Sequence, residues 1–74
     1  MKIHVKLYGV FRIGRFKEEK VIVPDGTRVQ DLVEQLALST ALLGIILVNG
    51  RHSDAQCSLQ DGDIVSLLPV LDGG

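Results

Sequence analysis

The best candidate for chemistry in this sequence is its closing pair, Gly73 and Gly74. Neither has a side chain, both reach backbone conformations closed to other residues, and Gly74 would leave its acyl carbon unhindered toward a nucleophile. A free carboxylate is a poor electrophile, so such an end has to be activated before it can react. Taken alone, a terminal Gly-Gly is equally the frayed end of a chain. The other candidates are weaker. Ser39, Ser53, Ser58 and Ser66 lack a convincing His–Asp partner. His4 falls on the polar side of a strand pattern and His52 in a loop, positions of surface residues rather than metal ligands. Cys57 is the only cysteine, which leaves neither an internal disulfide nor a four-cysteine cluster. As a nucleophile it would need an electropositive pocket to lower its pKa; it reads instead as a small packed hydrophobe. No catalytic apparatus, bound cofactor or metal site is expected in the chain itself.

The elements that must present this end have to come from 74 residues, of which 46% are hydrophobic. A chain of this size buries only about 60% of the surface it exposes when unfolded. With Tyr8, Phe11 and Phe16 the only aromatics, its core must be built from Val, Ile and Leu. The formal net charge is −1. No basic stripe points to nucleic acid, and no polybasic cluster points to a membrane surface. Charge is nevertheless uneven. Lys2, Lys6, Arg12, Arg15, Lys17 and Lys20 lie early, and Asp54, Asp61, Asp63 and Asp72 lie late. An acidic tail end would suit a positively charged receptor, though solvated surface charge explains it as well. The first residues alternate and contain no apolar signal core. The apolar run from Ala41 to Val48 is too short to span a bilayer. The expected compartment is the cytoplasm.

Ile3, Val5 and Leu7 alternate with His4, Lys6 and Tyr8, as in a half-buried strand. Residues 12–16 read as a hairpin connection to a second strand over 18–23, closed by the turn Pro24-Asp25-Gly26. Thr27 to Gln30 fits a capping box, with the Thr27 hydroxyl accepting and Gln30 reaching back. Val29, Leu32, Val33 and Leu36 then mark one face of a helix over about residues 28–38. Ile45 to Val48 is a strand run, and Asn49-Gly50 is a hairpin turn. Residues 51–60 look irregular. Asp61-Gly62 is a turn, residues 63–68 form the last strand, and Pro69 should end regular pairing because it has no N–H. One domain over residues 1–74 follows: an α+β β-grasp, with a mixed sheet of four to five strands, one principal helix, and the first and last strands side by side in the centre. Residues 70–74 would form a flexible tail, mobile from about Leu71.

The sequence resembles the ThiS/MoaD group of ubiquitin-like sulfur carriers over essentially its full length. The resemblance rests on Ile3 to Gly9, Asp25-Gly26-Thr27 leading to Asp31-Leu32, Val48-Asn49-Gly50, Leu59 to Val65, and Leu68-Pro69-Val70-Leu71-Asp72-Gly73-Gly74. Pro69 is nearer to MoaD, the small subunit of molybdopterin synthase. MoaD-type tails carry a second proline where Val70 stands here, and ThiS-type tails usually lack the first. The resemblance implies that a ubiquitin-type activating enzyme, using ATP and magnesium, adenylates the Gly74 carboxylate. A sulfur source then converts it to a thiocarboxylate. The chain would be a protein co-substrate, and its sulfur would pass to a synthase such as a molybdopterin synthase large subunit or thiazole synthase.

Strand alternation adds a docking surface. If Ile46, Val48, Val65 and Leu67 face the helix, then Ile45, Leu47 and Leu68 face away, near the tail root with Pro69, Val70 and Leu71. An apolar patch there marks a partner surface. Two other function classes stand beside the sulfur carrier: a ubiquitin-like modifier attached through Gly74 to lysines, and a β-grasp interaction module without tail chemistry.

Overall fold

Alternation along the first residues produces β1 (Lys2–Leu7), with Ile3, Val5 and Leu7 fully buried on one face. The computed structural model describes residues 1–70. After β1 come a 3₁₀ turn (Gly9–Arg12), β2 (Glu18–Ile22), α1 (Val29–Gln35), a second 3₁₀ turn (Thr40–Leu42), β3 (Leu43–Val48), β4 (Arg51–His52) and β5 (Ile64–Pro69). The five strands form one mixed sheet in the order β2-β1-β5-β3-β4. β1 and β5 run parallel, and their neighbours pair antiparallel. One helix packed on such a sheet is the β-grasp architecture that the sequence pattern predicts.

The apolar stripe of α1 faces the sheet. Val29, Leu32 and Val33 are buried in one cluster with Ile3, Val5, Leu7, Ile46, Val65 and Leu67, and Leu36 and Val48 pack at its margin. Phe11, Val23, Leu38 and Leu59 complete the core. Phe11 enters it from the 3₁₀ turn, just before the residues that the sequence presents as a hairpin connection.

Both ends of the helix differ from the sequence expectation. Thr27 does not cap it: its hydroxyl donates to the Pro24 carbonyl at 2.7 Å, inside the preceding turn. The cap residue is Arg28, whose N–H donates to the Asp31 carboxylate at 3.0 Å. That is half of a capping box, since a guanidinium has no acceptor with which to return the bond. The first free helix N–H groups go to loop carbonyls, Val29 to Cys57 at 3.0 Å and Gln30 to Ala55 at 2.8 Å. The segment that looks irregular in sequence therefore caps the helix. At the other end α1 stops at Gln35, short of residue 38, because Ala37 takes a φ of 56°. The Ala37 N–H bonds to the Glu34 carbonyl and that of Leu38 to Val33, a Schellman pair with alanine where glycine is usual. Arg15 reinforces this end by donating to the Leu36 and Ala37 carbonyls at 3.4 and 3.1 Å.

Asn49 and Gly50 both have positive φ, 53° and 80°, as a type I′ turn requires, and they join β3 to β4. Pro69 is the last residue of β5, and pairing does not stop there. Pro69 lies opposite Leu43, and the Val70 N–H donates to the Leu42 carbonyl at 2.6 Å. Alternation along β5 explains the tolerance: Ile64 and Val70 bond toward β3 and Leu67 toward Tyr8, so the position where Pro69 lacks an N–H faces the side of β1, beyond its end at Leu7, and not β3.

Leu32→Ala should destabilise the fold by about 2–5 kcal/mol, the range for truncating a buried leucine. Urea unfolding followed by circular dichroism measures this; a loss below about 0.5 kcal/mol would place Leu32 outside the core.

Candidate functional site

The Asp61-Gly62-Asp63 block is a clamp at the start of β5. The Lys2 N–H donates to the Asp61 carboxylate at 2.6 Å, the Gly62 N–H to the Lys2 carbonyl at 2.8 Å, and the His4 N–H to the Asp63 carbonyl at 2.9 Å. These three bonds set β1 against β5. Asn49 sets β3 in the same way. Its side-chain oxygen accepts from the Ile64 N–H at 2.9 Å, its amide donates to the Asp63 carboxylate at 3.0 Å, and its N–H donates to the Ile64 carbonyl at 2.8 Å. The second Asp63 oxygen accepts from the Gln60 N–H at 2.8 Å. The most distinctive block of the sequence thus fixes strand register.

At the other end of β5 the chain emerges between two glycines. A Cβ on Gly9 would sit 3.0 Å from the Pro69 ring, and Gly9 itself has a φ of 56°. A Cβ on Gly44 would sit 2.9 Å from both the N and Cα of Val70. Pro69 is half-buried in this collar, and Val70 is 54% exposed. Val10 and Leu42, each about half exposed, are the apolar side chains of the adjoining 3₁₀ turns. Leu71, Gly73 and Gly74 lie outside the described residues, as does the expectation of a mobile tail.

The open face of the sheet has two halves. On β3 and β5 lie Ile45, Leu47, Ile64, Ser66 and Leu68; on β1 and β2 lie the polar Lys2, His4, Lys6, Glu18 and Lys20, with the exposed Ile22 opposite Lys2 at the edge. Leu47 and Leu68 are on this face as their alternation requires, and both are half-buried. They do not oppose each other across the ladder: Leu47 faces Ser66, and Leu68 faces Ile45. Ile45, at 39% exposure, belongs with Leu68 as much as Leu47 does. A shallow cleft of about 350 Å³ in the polar half is lined by Lys2, His4, Lys20, Asp61, Gly62 and Ile64. His4 is 3.5 Å from Glu18 across the β1–β2 ladder.

The charge around the tail root differs from the acidic tail end that segment composition suggests, with Asp72 outside the described residues. Asp61 and Asp63 are at the start of β5, the end opposite the root, and their carboxylates accept backbone and side-chain N–H bonds. Lys6, Tyr8, Arg12 and Lys17 gather with Glu18 around a smaller cleft at the root end of β1. Arg12 donates to the Leu7 carbonyl at 2.8 Å and lies 5.4 Å from the Tyr8 ring centre. Among the described residues the root is therefore flanked by cations, which suit an acidic receptor. Gly9 and Gly44 are the site residues that sequence reasoning missed. For Gly44 the available signal was a glycine inside a run of strand formers, the mark of a bulge or a close backbone approach.

Cys57 is half-buried against the core, with its thiol 3.6 Å from the Ser58 carbonyl. Among the described residues no three His, Cys, Asp or Glu side chains are grouped to hold a metal ion.

The ThiS family model matches residues 5–74. A Pyrococcus furiosus protein assigned as molybdopterin converting factor, subunit 1, is 31% identical; the match covers 96% of this chain and 99% of that one, with a TM-score of 0.79. SAMP1, a small archaeal modifier protein of Haloferax volcanii, shares the fold at 22% identity over the whole of both chains, with a TM-score of 0.78. A chain from the complex of subunits 1 and 2 of the Helicobacter pylori molybdopterin-converting factor shares it at 22% identity over the whole of both chains, with a TM-score of 0.69.

Asn49→Ala should cost about 1 kcal/mol, because it removes two exposed side-chain bonds that water replaces only in part. The urea midpoint reads this loss; an unchanged midpoint would mean that the turn, and not the side chain, holds the register.

Proposed function

The chain belongs to the ThiS family, and on that premise we propose that it is a sulfur carrier whose Gly74 carboxylate is activated, converted to a thiocarboxylate and used as a sulfur donor in cofactor biosynthesis. The observation that carries this reading is the collar. The strand at the centre of the sheet delivers the chain between two residues without side chains, at an exposed Val70 four residues before Gly74. Such an exit suits a peptide that has to enter a narrow active site in another protein.

In the activating step a carboxylate oxygen of Gly74 attacks the α-phosphorus of ATP, and pyrophosphate leaves. The resulting acyl adenylate is attacked at carbon by a sulfur nucleophile, and AMP leaves. ATP and magnesium belong to the activating enzyme; the chain contributes an unhindered acyl carbon and a docked body, and binds no cofactor itself. The cytoplasm, where ATP is abundant, is the compartment that suits this reading. Four extended residues reach at most about 14 Å, so the enzyme must dock close to Val70. The apolar half of the open face, with Ile45, Leu47 and Leu68, and the cations of the root meet that requirement. The receptor we assign is a ubiquitin-type activating enzyme with an apolar contact and an acidic rim.

The acceptor is a synthase large subunit. The Pyrococcus furiosus relative supports a molybdopterin-type pathway over a thiazole-type one, and the Helicobacter pylori neighbour is itself a subunit in complex with its partner.

Incubation with the activating enzyme, ATP and a sulfide donor should raise the intact mass by about 16 Da, the replacement of one oxygen by sulfur. Deletion of Gly74 should abolish the shift at an unchanged melting temperature. An isopeptide-linked lysine product, with no sulfur form under any donor, would instead identify a protein modifier. Full biological activity after deletion of Gly74 would leave only an interaction module.

Leu47→Asp and Leu68→Asp should each preserve the fold and weaken binding to the activating enzyme by about tenfold or more, because a charge would be desolvated in an apolar contact. Calorimetric titration measures this. Wild-type affinity in both folded variants would move the docking surface elsewhere.

A further inference from the structure

Gly44 does not owe its identity to backbone conformation, since its φ lies outside the left-handed region that favours glycine. Nor is a side chain the first thing its Cβ would meet, because the three nearest atoms are all backbone: Val70 N and Cα at 2.9 Å and the Pro69 carbonyl carbon at 3.1 Å. Ordinary contact between carbon atoms is about 3.5–4.0 Å. Backbone cannot swing aside as the far end of a flexible side chain can, so any side chain at this position displaces the root of the tail. The β3–β5 register shifts at this point, and just beyond it the Val70 N–H is bonded to the Leu42 carbonyl at 2.6 Å.

We infer that Gly44 is a positioning residue for the C-terminal chemistry: it lets Val70 cross β3 at backbone contact and so sets the direction in which the last four residues leave the sheet. The catalytic half of this inference rests on the sulfur-carrier reading; the pinning of Val70 does not. Gly9 is a weaker counterpart, because it faces the Pro69 ring and its glycine also satisfies a left-handed φ. A displaced root acts on chemistry more than on binding. The docking face stays in place, while the carboxylate, with only about 14 Å of chain to correct an error, is presented off line. Misplacement of a reacting group by about 1 Å can cost as much as 100-fold in rate.

The test uses the full 74-residue chain. In the wild type the Val70 amide should exchange with deuterium at least about tenfold more slowly than an unbonded amide, as its bond to Leu42 requires. A Val70 amide exchanging at the free rate in the wild type overturns the inference before any variant is made. In Gly44→Ala, Val70 exchange should rise about tenfold or more, while Val5, Val65 and Leu67 keep their protection. Ile45→Ala, which changes the neighbouring side chain and adds nothing at position 44, should leave Val70 exchange unchanged. Equal acceleration of Val70 in both variants would reduce Gly44 to a general strand residue and overturn the inference.

With the ubiquitin-type activating enzyme that copurifies with the native chain, ATP–pyrophosphate exchange should show kcat lowered about tenfold or more by Gly44→Ala at a KM within about twofold of wild type. An unchanged kcat, or a change confined to KM, overturns the positioning role. A wild-type chain that supports no pyrophosphate exchange refutes the carrier reading and the catalytic half with it, and Val70 exchange still decides whether Gly44 pins the root.

Discussion

β1 and β5 lie side by side and run parallel, so no hairpin can join them. All the chain from Tyr8 to Asp63 is the crossover that brings β5 back beside β1. The partners of β5 are consequently remote in sequence, and closing so long a loop is costly in entropy. Nothing local sets the register of the central strand. That task falls to the bonds from Lys2 and His4 to the Asp61–Asp63 block and to the three bonds of Asn49. Because side chains alternate along a strand, a slip of one residue would turn Val65 and Leu67 out of the core and bring Ser66 and Leu68 in. It would also lift Pro69 and Val70 off Gly44. A single register thus fixes the core, the open face and the exit of the tail.

Much of this was legible in the sequence because it is local. The alternation of Ile3, Val5 and Leu7 and the spacing of Val29, Leu32 and Val33 both report one dry side, and all six residues are buried. Asn49-Gly50 forms the turn that its dipeptide predicts, because a type I′ turn needs two positive φ values and little else. The helix ends were not legible. Its first N–H groups are satisfied by Ala55 and Cys57, about 25 residues downstream, and its C-terminus turns on a left-handed Ala37, where no glycine marks the stop, reinforced by Arg15 from about 20 residues upstream. Phe11 looks like a loop residue until the 3₁₀ turn aims it inward. Net charge by segment does not map onto position in the fold either. Asp61 and Asp63 are near the tail in sequence, yet β5 carries the chain a full strand length away from them, toward Lys6, Arg12 and Lys17.

The site followed the same division. Leu47 and Leu68 could be placed on the open face by parity alone, whereas their cross-strand partners, Ser66 for Leu47 and Ile45 for Leu68, required the ladder. Gly44 was the hardest to see. A glycine inside a strand run says that something comes close, and only the fold says that it is the backbone of Val70.

A protein that offers a terminal carboxylate to another enzyme has little use for reactive side chains near that carboxylate. Groups able to act as nucleophiles or bases beside the root would compete with the partner's own. The surroundings of the root fit this demand: Gly9, Gly44, Pro69, Val70, Val10 and Leu42 are glycine, proline or aliphatic. The cations lie one step farther out, on β1 and the turn after it, where they can meet an acidic partner without touching the exit. Recognition and reactivity are thereby separated on one small surface. The separation is workable only because β5 is central. An edge strand would deliver the tail at the margin of the sheet, with support on one side, whereas β5 has β1 on one side and β3 on the other; the turn after β1 supplies Gly9 to the collar and β3 itself supplies Gly44. The chemistry assigned to Gly74 therefore depends on bonds made by Asn49 and the Asp61–Asp63 block at the far end of the same strand.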